Sequence, residues 1–528
     1  MKSTLQPWIA VSALALVAAV GGWLRFQIAT QDLLWLDELH TGWVVDAPSW
    51  SDVATRAADG NQTPVFFWLT RFFVQLPIQS ELGLRLTSVI AGIALILIAA
   101  IGVWKWSGSR LGGLLTGVLI ALDLSFIYYS TEARPYALIE FLSVVQFGIL
   151  FQIIWPSPAS EDVRKIRTSG SRFRLQLAFA LLSLLLIYTH LTSVWLLVTD
   201  AILLAVCFFH SPALIRRVSL WLPAIVVICL GFLPFSIITR NIYSRRDNWE
   251  AVSSVSNLLA NILPDLLVTV CLPLVLLAVY FSLKKTKPRP TTQQLQQLGL
   301  ILLWAFIPFL CVIIAGLLNI APLALHRYTL VGAAAIPIFA GCCVGCLQST
   351  LEKTTFVGLI FMGVIVTGNT INPFVGSDTL PHFRVENWQT PIEKINSAKA
   401  ESNYPVFVFA NIIEDSDAMK IADLRFQKYL LFPVSWPYPL DRVYPEVSSG
   451  PTLEEPHFSA TQIQQAFTNK GCWVIVRGTK ELAERIGFEL EFRLEIEMAR
   501  DFPISKSPIK SQFYETPGSR VYLISVEW

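Results

Sequence analysis

The chain repeats long apolar runs separated by short polar ones as far as about Thr370, then changes character. Runs of about 17–22 apolar residues match a helix that crosses the hydrocarbon core of a bilayer. They predict spans near 8–28, 84–104, 111–128, 135–155, 174–189, 191–209, 219–239, 264–283, 297–317, 329–349 and 354–371, about eleven in all. The first run ends in Thr30-Gln31-Asp32 without a small-residue cleavage site, so it reads as a retained span rather than a signal peptide. One apolar segment, Thr63 to Leu76, is only about 14 residues long and contains Arg71. It predicts a helix lying in the outer interface with its aromatic residues at headgroup depth. A further span there would invert every later loop.

After Thr370 the pattern shortens. Pro405 to Ala410 and Cys472 to Val476 read as buried strands, and Arg520 to Ser525 as a last strand. Ser459 to Asn469 and Thr479 to Ile486 read as helices. Strands alternating with helices predict a small α/β domain. The expected fold is mainly α: a polytopic transmembrane bundle over residues 1–371 with an outer interfacial helix, followed by a water-soluble α/β domain over 372–528.

Composition agrees with this division. Of 528 residues, 54% are hydrophobic and 15% charged, against about 25% charged in soluble domains. The net charge of +2 gives no reason to expect a nucleic-acid partner. Seven of the eight cysteines lie in apolar stretches as small hydrophobes, and Cys472 alone falls in the tail, which excludes an intrachain disulfide there. Cys342, Cys343 and Cys346 have no neighbouring histidine to complete a metal site.

Lysine and arginine in the short loops orient the spans. Lys2, Lys105 and Arg110, then Arg164, Lys165, Arg167, Arg172 and Arg174, then Arg216 and Arg217, then Lys284, Lys285, Lys287 and Arg289 would share one side. That side is the cytoplasm, which places the N-terminus inside and the tail outside.

The outer side then collects polar residues that an anchor does not need. Trp35-Leu36-Asp37-Glu38 puts two carboxylates just beyond the first span. A carboxylate there can take a proton from a hydroxyl, or it can simply sit in the first turn of a helix, where acidic residues are favoured. Glu132, Arg134 and Tyr136 crowd one tight turn. Arginine there could hold a phosphate bidentately, or pair structurally with Glu132. His190, His326 and Arg327 lie at outer helix ends, as pocket residues or interface anchors. Arg240, Arg245 and Arg246 run against the charge trend, and an anionic lipid headgroup would account for them.

These residues resemble a known pattern. Leu36-Asp37-Glu38, Thr63-Pro64 with the aromatics after it, Glu132-Ala133-Arg134-Pro135-Tyr136, Tyr188-Thr189-His190, His326-Arg327-Tyr328 and Phe383-Arg384 with Glu386-Asn387-Trp388 are similar to the GT-C glycosyltransferases, in the bacterial branch related to protein mannosyltransferases and aminoarabinose transferases. The resemblance covers roughly residues 1–390. It implies a membrane-embedded transferase that takes sugar from a polyprenyl-phosphate donor on the outer side and passes it to an acceptor it does not identify, with membrane lipids around it. The resemblance matches the catalytic acid to Asp37, with Glu38 adjacent, and the second acidic position to Glu132. Arg134, Tyr136, His190, Arg246, His326 and Arg327 are the expected substrate-binding residues. Some GT-C members need a divalent metal ion, for which Asp37 and Glu132 would be the ligands. Thr63-Pro64 stands where paired prolines are usual, and Asn61-Gln62 near the position of a lysine in the aminoarabinose branch. Two other classes compete: a transporter for lipid-linked sugars, which predicts polar groups at depth in the bilayer, and a scaffold, which has no use for the outer carboxylates.

Overall fold

The computed structural model describes residues 6–60, 62–154, 169–210, 221, 223–234, 256, 258–259, 266–283, 290–318, 325–367, 381–398, 403–410, 428–441, 446–447, 458–501 and 509–528. Arg240, Arg245 and Arg246 lie outside these residues, as do Lys2 and the inner-loop cations Arg164, Lys165, Arg167, Arg216, Arg217, Lys284, Lys285, Lys287 and Arg289.

The apolar runs become helices because a backbone in hydrocarbon must satisfy its own hydrogen bonds. In chain order they are α1 (Pro7–Gln31), α2 (Leu36–Val45), α3 (Trp50–Asp59), α4 (Pro64–Val74), α5 (Ser80–Ser107), α6 (Arg110–Leu122), α7 (Leu124–Ser130), α8 (Tyr136–Ile154), α9 (Ser169–Thr189) and α10 (Val194–His210). Then follow α11 (Pro223–Pro234), α12 (Leu272–Leu283), α13 (Thr292–Leu317), α14 (Ala335–Gly345) and α15 (Thr350–Thr367). Among the described residues, α1, α5, α8 and α13 are long and apolar enough to cross a membrane, and α6 with α7 makes a fifth if the bent pair is one span. The chain is therefore an integral membrane protein. The segment read as interfacial is a helix of 11 residues, α4, with Pro64 in its first turn where a missing N–H does no harm. Two helices had no counterpart in the apolar pattern: α2 and α3, both between the first run and α4.

The chain divides into two compact units. The first comprises Met1–Thr30, Pro48–Ile78 and Leu82–Pro381. Small residues let its helices approach closely: a Cβ on Gly112 would lie 2.2 Å from the Gly341 carbonyl oxygen, and Thr116 Oγ1 donates to Pro337 O at 3.1 Å. The span at 111–128 is broken at Asp123, where α6 and α7 meet at 62°. Both broken ends are satisfied by side chains. Asp123 Oδ1 accepts from Ser125 N and Phe126 N, capping α7. Arg25 of α1 donates to Ile120 O at 2.9 Å and Ala121 O at 3.1 Å, closing the end of α6.

Ionisable side chains are buried inside this unit at places the apolar reading passed over. Arg25, Arg85, Glu140 and Asp200 are all buried. Arg85 donates to Ala29 O at 2.9 Å, and Gln146 of α8 bridges Ser183 of α9 and Asp200 of α10.

The second unit comprises Gln31–Ala47, Gln79–Glu81 and His382–Trp528, so the loop after α1 and α2 belong with the tail. Its helices include α16 (Gln389–Ser397), α17 (Ala460–Asn469) and α18 (Lys480–Asp501). Its strands are β1 (Val406–Phe409), β2 (Glu446–Val447), β3 (Gly471–Arg477), β4 (Lys510–Glu515) and β5 (Val521–Glu527). They form one sheet in the order β2-β1-β3-β5-β4. β1 runs parallel to β2 and β3, and β5 runs antiparallel to β3 and β4. Phe407, Val474 and Ile524 of the sheet pack with Ile463 of α17 and Ile486, Leu490 and Leu494 of α18. The helix expected over 479–486 continues to Asp501.

Candidate functional site

In the membrane unit, six of the residues singled out by the sequence form one cluster. α7 ends at Ser130 and α8 starts at Tyr136, leaving a turn of five residues that carries Glu132 and Arg134. Arg134 N donates to Glu132 O at 2.7 Å, and Ser88 Oγ of α5 donates to Arg134 O at 3.0 Å, fixing the turn from two sides. Glu132, Arg134, Tyr136 and His190 are buried, while His326 and Arg327 are half-buried.

Aromatic contacts join the elements. The Tyr129 ring lies 5.2 Å from Tyr136 and 5.8 Å from His326, and its hydroxyl sits 3.3 Å from His326 Nδ1. Tyr136 lies 5.6 Å from His190, which lies 6.2 Å from Tyr328. Glu132, Arg134 and Arg327 all act electrostatically on Tyr136. The turn after α7, the turn before α10 and the 3-10 turn His326–Tyr328 thus face one polar centre.

The charge state of this centre follows from burial. Burial, reinforced by Arg134 and Arg327, pulls the His190 ring down to about 3. Burial alone takes His326 down to about 4. Both imidazoles are neutral at pH 7. Thr192 N donates to His190 Nδ1 at 3.3 Å, which leaves the ring proton on Nε2 as a neutral donor. The cluster thus sets two guanidiniums, Arg134 and Arg327, and the Glu132 carboxylate beside two neutral imidazoles.

Asp37 and Glu38 belong to the second unit, in the first turn of α2. Glu38 is fully buried and turned back on its own helix, its Oε2 3.5 Å from Trp35 N and 3.9 Å from Arg384 Nε. Asp37 is half-buried.

The stretch His382–Trp388 holds this segment. Asp32 takes His382 Nδ1 at 2.8 Å, Phe383 N at 3.1 Å and Arg384 Nη1 at 3.4 Å. Glu386 Oε2 accepts from Leu36 N at 2.9 Å and from Trp388 Nε1 at 3.2 Å, and its Oε1 takes Arg477 Nε at 2.7 Å. The sequence offered Arg384 and Glu386 only as part of a resemblance. Their partners are 350 residues away in the chain, so no spacing could have revealed them.

A divalent metal does not fit these donors. Among the described residues, no three His, Cys, Asp or Glu side chains gather as a ligand set. The charges around the Glu132 turn are Arg134 and Arg327, and Glu38 faces Arg384.

No family model and no curated protein matches the chain. Solved structures do. ArnT from Cupriavidus metallidurans bound to undecaprenyl phosphate aligns over 98% of this chain and 97% of its own, with TM-score 0.53 and 12% identity. Its apo state aligns over 98% of each chain, with TM-score 0.52 and 11% identity. At this identity the likeness concerns architecture, and it runs the length of both chains: the protein has a GT-C-like fold.

Proposed function

We propose that the protein is a membrane glycosyltransferase that moves a sugar from a polyprenyl-phosphate donor to an acceptor hydroxyl at the outer face of the cytoplasmic membrane. The observation that carries this reading is the gathering of buried Arg134 and half-buried Arg327 with two neutral histidines around the Glu132 turn. It suits a lipid-linked phosphate, the class of ligand present in the ArnT complex. The membrane region would cross about eleven times, N-terminus inside, with residues 1–371 as the transferase and α4 in the outer interface. Residues 372–528 would be extracytoplasmic.

In the reaction, Asp37 takes the proton of the acceptor hydroxyl, whose oxygen attacks the anomeric carbon. The bond from that carbon to the phosphate oxygen breaks, and polyprenyl phosphate leaves. Attack opposite the leaving group inverts the anomeric centre. Arg134, Arg327 and Arg246 hold the phosphate and stabilise the charge that develops on it. Glu132 positions Arg134, Tyr136, His190 and His326 line the donor site, and Glu38 secures the helix under Asp37. Asn61-Gln62 stands where the aminoarabinose branch has a lysine, which counts against that particular sugar.

Deleting the gene tests this reading without knowing the acceptor. A polyprenyl-phosphate sugar should accumulate while one envelope glycan or modified lipid disappears. Accumulation on the inner leaflet alone would instead favour a lipid-sugar transporter. The buried Gln146, Ser183 and Asp200 node is the observation that keeps that second reading in view.

A further inference from the structure

We infer that Arg384 and Glu386 of the tail are positioning residues for Asp37, which makes the tail part of the reacting centre rather than an attachment to it. The inference rests on the assignment of Asp37 as the base.

A helix begins with N–H groups that have no partner within it, and a side chain at the cap normally accepts from them. At the start of α2 the cap residue is Trp35, whose indole accepts nothing. Glu386 supplies the acceptor for Leu36 N from outside. Glu38 reaches back to Trp35 N, and Arg384 lies between Glu38 and Asp32. Asp37 sits between two residues whose positions are fixed from the tail.

The two stretches hold each other reciprocally. Asp32 of one takes the backbone N–H of Phe383, and Glu386 of the other takes the backbone N–H of Leu36. Bonds in both directions set the register as well as the separation. Every charge at this junction except the half-exposed His382 and Arg477 is buried: Asp32 is 3% exposed, Glu38 0% and Glu386 4%, with the Arg384 side chain at 1%. Apolar residues would dock a domain at least as stably, since desolvating ions offsets most of their attraction. What directional ionic bonds add is geometry. A base must stand within a few tenths of an ångström of its proton, and a shift of about 1 Å removes on the order of 100-fold in rate.

The test uses the full chain in nanodiscs, with lipid extract from the deletion strain as donor. Glu386→Gln keeps the shape and weakens the ion pair with Arg477 and the bond from Leu36 N, Arg384→Lys keeps the charge without the fork, and Arg384→Ala removes both charge and fork. Hydrogen exchange over residues 33–45 should rise in Glu386→Gln, while the strand peptides 471–477 and 521–527 keep their protection. Release of polyprenyl phosphate should fall in kcat by about 10–100-fold with the donor KM within about 2-fold. Arg384→Lys should recover part of what Arg384→Ala loses, and if Arg384→Ala fails to fold the other two variants decide. Unchanged exchange over 33–45, an unchanged kcat, a change in KM alone or a loss of strand protection would each overturn the inference. If the parent protein releases no polyprenyl phosphate, the functional reading fails, and the exchange measurement still decides whether the tail holds α2.

Discussion

The turn that carries Glu132 and the helix that carries Asp37 are held by the same device with its sign reversed. In the membrane unit, the Arg25 cation closes the carbonyl end of α6 just before the break that leads to Glu132. In the second unit, the Glu386 carboxylate closes the N–H end of α2 just before Asp37. Each charge complements the partial charge of the helix end it meets. The difference lies in the surroundings. In the apolar bundle a cation aimed at backbone carbonyls suffices, and the partners come from neighbouring helices. In the second unit several ionised groups interlock, and the partners are distant in the chain. The first arrangement ties the acidic turn to the stability of the bundle, and the second ties the acidic helix to the presence of the tail.

This contrast can be broken or sharpened by substitution, and the largest expected effect is on chemistry. Asp37→Asn should lower transfer by roughly 100- to 10,000-fold at equal expression, as for loss of a general base. Near-full transfer by that variant would remove Asp37 from the role and with it half of the comparison. Arg25→Met leaves the Ile120 and Ala121 carbonyls without their donor and the buried Glu140 without its cation. Thermal unfolding in detergent should show a loss of about 3–5 kcal/mol, and Arg25→Met with Glu140→Gln should recover most of it. Recovery would show that the first device is structural. Arg134→Lys should raise the donor KM by about 10-fold by replacing a fork with a point charge, leaving exchange over residues 33–45 unaffected.

Acid should act on the membrane unit through its histidines. The His190 and His326 rings stay neutral when folded to about 3 and about 4, whereas an unfolded histidine protonates near 6.5. The unfolded state therefore binds more protons between pH 6.5 and 4, and stability falls as pH falls through that window. The slope reaches about 1.4 kcal/mol per pH unit for each ring. His190→Gln should flatten it, as read by melting temperature from pH 7 to 4.5. The smallest effect expected is that of Trp388→Phe, which loses the indole bond to Glu386 and part of a fully buried ring, about 2 kcal/mol by thermal unfolding.

The long apolar runs revealed α1, α5, α8 and α13 because hydrocarbon leaves few alternatives, and β1, β3 and β5 because their buried β-branched and aromatic runs are unbroken, whereas the two-residue β2 and the largely exposed β4 had no such run. Less was legible where structure depends on contacts. α2 and α3 come from a mixed stretch whose apolar spacing is short, and α2 packs His40 and Trp43 against Tyr429 far along the chain. The second half of α18 escaped notice because Phe488, Phe492 and Ile496 are exposed and blur its two-faced pattern. Arg25 and Arg85 did carry a signal, since an arginine inside an apolar run demands a partner. The cluster around Glu132 was readable as a set of outer-side residues, but its neutral histidines follow only from burial.

The 350-residue separation between Leu36 and Glu386 also has a consequence in time. A ribosome adding about 5–20 residues per second needs roughly 20–70 s to pass from one to the other. Through that interval α2 has emerged without the acceptor for its first N–H, and Asp32 and Glu38 have no Arg384 to bury against. The second unit thus cannot finish folding until the chain has passed residue 386. A chain that stops at residue 381 would carry Asp37 on a helix without the carboxylate that accepts from its first N–H.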